Sequence, residues 1–204
     1  MTEERKRQIL SVILPYIRRN VKEVPVPVEK LCEELEGVHL VAPEQIQELF
    51  DRQTAEKFRE MDAVTVTLAG GRKLIVYDSG KPKTRVRFSL AHELAHILLG
   101  HCDGPNPDSM EYAAMEEEAN RAAGLIVCPP KLYYGFSDRI SSRDLAEICG
   151  VSESCARLSM LSLKEDRELI GSFAEYRFMK TPELTQGSRN TLMSPRPAYG
   201  NGRK

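Results

Sequence analysis

The chain has 204 residues, of which 41% are hydrophobic and 29% charged, enough for one domain with an appendage and too apolar for wholesale disorder. Its formal net charge of -1 excludes a globally basic nucleic-acid coat, so such binding would need a local patch. No apolar run approaches the roughly 18 residues of a membrane span, and the N-terminal MTEERKRQILSVILP lacks a signal-peptide core and cleavage site, so a cytoplasmic protein is expected.

Residues 3–19 place Ile9, Val12, Ile13, Tyr16 and Ile17 at helical spacing, with Pro15 expected to kink the helix. Arg5, Lys6, Arg7, Arg18 and Arg19 are expected only to coat its wet face. A short helix over about 29–35 follows VPVPVE, and another over 44–59 has Pro43 suited to its first turn. The period then changes. Ala63–Leu68 reads AVTVTL, Gly70-Gly71 turns, and Lys73–Tyr77 reads KLIVY, which predicts a hairpin and with it a small antiparallel sheet. RFSLAHELAHILLGH predicts a helix of about ten residues, between Ser89 as N-cap and Gly100 as stop. Met110–Val127 predicts a longer helix closed by Pro129-Pro130. Residues 141–164 carry a helix–turn–helix pattern with Gly150 at the turn, Ser152 as N-cap, and Leu145, Ile148, Val151 and Leu158 as its buried residues. From about Thr181 apolar periodicity is lost and disorder is expected. The fold class is therefore α+β, in three segments: 1–135, 136–180 and a disordered tail, 181–204. Cys32, Cys102, Cys128, Cys149 and Cys155 are scattered and never form a CxxC pair, which predicts reduced thiols rather than a disulfide framework or a cysteine-only zinc site.

His92-Glu93-Leu94-Ala95-His96 is an HExxH string. Four helical residues turn through about 400°, which leaves the two imidazoles about 40° apart on one face. Two neutral nitrogens so placed can bind one zinc ion, with Glu93 adjacent as general base toward water. Leu90, Ala91, Leu94, Ile97 and Leu98 make this a buried helix, in which two histidines need partners. A continuation with Gly three residues on and a further His three beyond that is absent, since Leu99 and Cys102 hold those places. His101 lies about 140° from His96 on a continued helix and is expected to be solvated. A third ligand from a second helix is supplied by Glu116-Glu117-Glu118-Ala119-Asn120. Glu116 and Asn120 share a face, continuing to Ala123 and Gly124, small residues that would let the zinc helix approach closely. This favours Glu116 as ligand and Asn120 as hydrogen-bond partner of a liganding histidine. Glu118, nearly opposite, is the fallback ligand, and Glu117 is expected to pair with Arg121 in solvent. Tyr112, Tyr133 and Tyr134 are unranked candidates for stabilising an oxyanion.

RVRFSLAHELAHILLGH followed by EEEANRAAGLIVCPP resembles the ImmA/IrrE family of zinc metallopeptidases, over about 25–164. The resemblance implies a zincin-like metallopeptidase domain over 1–135, with metal ligands at His92, His96 and Glu116, the general base at Glu93 and Zn2+ as cofactor. Ala122 departs from it where many relatives carry Phe, and Cys128 before the proline is read as a small core residue. The implied function is a zinc endopeptidase that cleaves a helix–turn–helix transcriptional repressor to release its target genes. A non-catalytic regulatory or partner-binding module is the alternative. Direct DNA binding by 136–180 is disfavoured, because 141–170 hold four Lys/Arg against six Asp/Glu and offer few phosphate contacts. That acidic balance instead suits docking of a basic partner.

Overall fold

The computed structural model describes residues 1–42, 45–46, 49–101, 108–184, 186 and 189. Helix α1 (Glu3–Asn20) begins at Thr2, whose side chain accepts from the Arg5 amide at 3.3 Å. Ile9, Ile13 and Ile17 are buried as predicted and Tyr16 packs half-buried beside them, but Leu10 and Leu14 complete the stripe and Val12 is 39% exposed. Two of the basic residues expected in solvent are tied down. Arg5 holds Glu118 through two contacts of 2.5 and 2.6 Å, and Lys6 holds Asp166 at 2.9 Å.

Strand β1 (Glu23–Val24) and helix α2 (Val28–Glu33) lead to strand β2 (Val38–Val41), which the sequence reading missed. The helix expected over 44–59 is interrupted at 50–51: residues 45, 46 and 49 are helical, and α3 (Arg52–Glu60) follows, opened by Asp51, which accepts from the Thr54 amide at 3.1 Å; Pro43 lies outside the described residues. Strands β3 (Ala63–Thr67) and β4 (Lys73–Tyr77) form the predicted hairpin. The sheet order is β2-β4-β3. It is mixed rather than antiparallel, because β3 lies at the far edge running opposite to β2 and the hairpin then brings β4 back between them, parallel with β2. Central β4 is buried on both faces: Ile75 joins the main core, whereas Leu74 and Val76 pack with Val41, Ile46 and Ala55. Edge strand β3 follows the same alternation. Val64 and Leu68 face the smaller cluster, and Thr65, paired with Ile75, faces the main body.

Helix α4 (Lys83–Leu99) starts after Pro82, not at Ser89. Val86 and Leu90, four residues apart and both buried, already set the helical stripe ahead of Ser89. Gly100 ends the helix in the left-handed conformation, φ 68°. Helix α5 (Met110–Val127) keeps its predicted bounds and packs along α4. A one-turn helix α6 (Pro130–Tyr133) follows, and the predicted helix–turn–helix is α7 (Ser142–Cys149) and α8 (Glu153–Glu165). Ser141 and Ser152 cap these two helices, and Gly150 turns between them at φ 63°. A side chain at Gly150 would meet Pro25 at 3.1 Å and the Arg87 guanidinium, which donates to the Gly150 carbonyl. Leu145, Ile148, Val151, Ala156 and Leu163 enter the same core as α1, α4 and α5, but Leu158 is 61% exposed, against expectation. Gly124 approaches α8, where a Cβ would lie 3.3 Å from Ser159 Oγ, and not α4 as expected.

Helices α9 (Arg167–Ser172) and α10 (Ala174–Phe178) precede strand β5 (Glu183–Leu184), which pairs parallel with β1. Order thus extends past Thr181. Residues 185, 187–188 and 190–204 of the expected tail, and Cys102, lie outside the described residues. The other four cysteines are free and buried.

Truncating the stripe of α1 leaves a cavity that Val12 does not: Ile13→Ala is expected to cost about 2–5 kcal/mol in denaturant unfolding, and Val12→Ala well under that. The Arg5 guanidinium holds the Glu118 carboxyl below its usual range. A depressed carboxyl contributes stability above its unfolded pKa, roughly 4.3, and loses it as pH falls through the lower folded value. Glu118→Gln is therefore expected to lower the thermal midpoint at neutral pH and to flatten its fall on acidification.

Candidate metal centre

Helix α4 carries His92, Glu93 and His96, and α5 carries Glu116, Glu118 and Asn120. The contact between the helices is lined by small side chains. Ala91 and Ala95 on α4, and Ala119, Ala122 and Ala123 on α5, are all fully buried, which lets the two backbones approach. The polar residues at the edge of that contact therefore meet. His92 Nε2 lies 3.2 Å from Glu116 Oε2, His96 Nε2 lies 3.3 Å from Glu116 Oε1, and the two Nε2 atoms are 3.0 Å apart. One ligand atom from each of His92, His96 and Glu116 lies within 4.8 Å of the others, the only such group of three or more potential ligands among the described residues.

Each histidine is held from behind. His92 Nδ1 is 3.1 Å from Asn120 Oδ1, the contact expected of Asn120. His96 Nδ1 is 2.9 Å from His101 Nδ1. Asn120 Oδ1 can only accept, so His92 donates from Nδ1 and turns the lone pair of Nε2 toward Glu116. Burial, reinforced by the neighbouring His92, lowers the His96 pKa to about 4, which keeps this imidazole neutral at physiological pH. Two imidazole nitrogens and one carboxylate converge on one point. That donor set fits a divalent cation of borderline softness such as zinc.

Glu93 projects on the other side of His92, where Thr65 Oγ1 on β3 donates to its Oε2 at 2.7 Å. Burial raises the Glu93 carboxyl above its usual range, against the opposing hydrogen bond from Thr65. Of the three tyrosines, Tyr112 sits one helical turn before Glu116, and burial and the Glu116 carboxylate together raise its pKa. The other two are engaged elsewhere: Tyr133 donates to the Ser159 carbonyl and Tyr134 to the Arg167 carbonyl, each at 3.1 Å.

The expectations for His101 and for the Glu117–Arg121 pair fail here, and the fallback ligand is not needed. His101 is buried, with its side chain 5% exposed, because the left-handed Gly100 folds the chain back and its amide bonds the His96 carbonyl at 3.0 Å. Glu118 takes no place among the convergent ligand atoms; its buried carboxylate binds His101 and Arg5. Arg121 turns from Glu117 to contact Asp166, and Glu117 lies 3.6 Å from the N-terminal amine. Thr65 was missed, although the alternation of β3 and its pairing with β4 put it on the inward face. Glycine at a helix end was the available signal for His101; nothing local marks Arg5.

The charge of the helix–turn–helix pair also reads differently in three dimensions. Asp144 is buried at the α7 cap beside Ser141, and Asp166 is buried against Lys6 and Arg121. Two of the six acids counted over 141–170 are thus internal, and the surface of the pair is nearly balanced rather than acidic.

No described helix is long and apolar enough to cross a membrane. No curated protein matches the chain. A family model for the IrrE N-terminal-like domain matches residues 45–158, which is more than half of the chain and holds His92, Glu93, His96 and Glu116, while α1 lies outside it. The chain therefore belongs to the ImmA/IrrE family and is a hydrolase of the metallopeptidase kind.

Proposed function

We propose that the protein is a zinc-dependent endopeptidase of the cytoplasm that cleaves a helix–turn–helix transcriptional repressor and so releases its target genes. The observation that carries this reading is the convergence of His92, His96 and Glu116 beside the half-buried Glu93. Three acceptors aimed at one point repel one another unless a cation lies among them, and three ligands leave a zinc ion a fourth position for substrate. When bound, zinc supplies Lewis acidity that polarises a carbonyl and lowers the pKa of water toward about 7.

The chain's own groups carry the proton. Glu93, raised by burial and oriented by Thr65, accepts it from the attacking water and delivers it to the leaving amine. Tyr112, at the site through Glu116, is the proposed donor to the oxyanion of the tetrahedral intermediate. A cleft of about 360 Å3 between α4, α5 and α8, lined by Phe88, Asn120, Gly124 and the exposed Leu158, is sized for an apolar side chain of a bound peptide. The repressor as substrate comes from the family resemblance. The near-balanced surface of α7 and α8 has no basic surplus for phosphate contacts, which favours a protein partner over DNA.

Purified protein supplied with zinc is expected to hold about one ion per chain, and His92→Ala, His96→Ala or Glu116→Ala to empty the site, as read by elemental analysis. Glu93→Gln is expected to keep its zinc while losing about 10²–10⁴-fold in repressor cleavage, with casein left nearly intact by wild type. A Glu93→Gln protein that still releases the repressor's target genes would establish the non-catalytic module instead.

A further inference from the structure

We infer that Arg5, Glu118 and His101 form a hydrogen-bonded arm that fixes the tautomer of His96, and that helix α1, outside the family-matched residues, thereby helps to build the metal site. The effect on metal binding rests on the ligand role proposed above for His96; the tautomer does not.

The direction of the arm follows from the groups at its ends. Arg5 can only donate, and its Nε and Nη2 lie 2.5 and 2.6 Å from the two oxygens of Glu118. The Glu118 carboxylate, so paired, can only accept. When His101 is neutral, its Nε2, 3.0 Å from Glu118 Oε2, must therefore donate, which leaves His101 Nδ1 as an acceptor. The one remaining contact is His96 Nδ1 at 2.9 Å, and it must carry the proton. His96 Nε2 is then a bare lone pair, 3.3 Å from Glu116 Oε1, at the point where the other ligand atoms converge. Asn120 imposes the same tautomer on His92 in one step. Every bond of the arm is satisfied with both imidazoles neutral.

Burial makes the arrangement specific. The His101 and Glu118 side chains are 5% and 7% exposed, so water is not available to replace a lost partner. Gly100 permits the reversal that brings His101 back onto His96, and α1 packs on both α4 and α5, which brings Arg5 to Glu118. An imidazole without such a partner takes the other tautomer readily, with its proton on the nitrogen that would face the metal. These three are positioning residues: they act on the metal through His96.

The test uses the full chain and two readouts. In nitrogen–proton correlation spectra of the metal-free protein at about pH 8, above the ordinary imidazole range, wild-type His96 is expected to carry its proton on Nδ1. In His101→Phe the two tautomers are expected to mix. Zinc affinity, measured by competition with a chromophoric chelator, is expected to fall roughly 10–100-fold in His101→Phe, as loss of a ligand's supporting bond does. It is expected to fall by less in Arg5→Ala, with Arg5→Lys recovering part. Ile13→Ala controls for plain destabilisation of α1: it should lower the thermal midpoint and leave zinc affinity unchanged.

A wild-type His96 protonated on Nε2 would overturn the inference, as would a folded His101→Phe with wild-type zinc affinity. If Ile13→Ala weakens zinc as much as Arg5→Ala, the part assigned to Arg5 falls. Absence of zinc binding by wild type, with the Nδ1 tautomer found, would overturn the proposed function and support the arm alone.

Discussion

The approach of α4 to α5 across a seam of alanines is the constraint on which the site depends. Ala91 and Ala95 on α4, and Ala119 and Ala123 on α5, are fully buried, and side chains this short let the two packed helices come close enough for the polar groups beside them to meet. His92 and His96 project from one helix and Glu116 from the other, with separations of 3.2 and 3.3 Å. A bulkier residue in the seam would spread those groups beyond the reach of one ion.

Around that seam each polar group has a partner that decides its state. Asn120 and His101 hold the two imidazoles from behind, and Thr65 holds Glu93 from the sheet edge. Burial then separates the electrostatic roles. It lowers the pKa of His96 and raises that of Glu93, so the imidazole stays neutral while the carboxyl is biased toward accepting a proton. Position alone thus drives the two groups in opposite directions, in line with the ligand and base roles proposed for them.

The parts of this arrangement that repeat along one helix were legible in the sequence. The HExxH spacing put two imidazoles on one face, and the spacing of Glu116 and Asn120 put the proposed third ligand and the partner of His92 on another. Gly150 with Ser152 marked the turn between α7 and α8 for the same local reason, a left-handed position followed by a capping hydroxyl. What escaped depends on chain reversals and long-range pairing. His101 was read on a continued helix, whereas Gly100 sends it back toward His96. Arg5 meets Glu118 across 113 residues, and no periodicity announces such a pair. Strand β2 is four residues long and is defined by its parallel partner β4 rather than by its own pattern. The acidity counted over 141–170 misled because Asp144 and Asp166 turn inward.

The central claim, that two histidines and one glutamate from α4 and α5 form a metal centre, is tested most directly by X-ray absorption at the zinc edge on the zinc-loaded full chain. The account predicts a first shell of nitrogen and oxygen at about 2.0–2.2 Å, with the outer-shell scattering of two imidazole rings and no sulfur. A sulfur shell at about 2.3 Å, or a single imidazole, would contradict it.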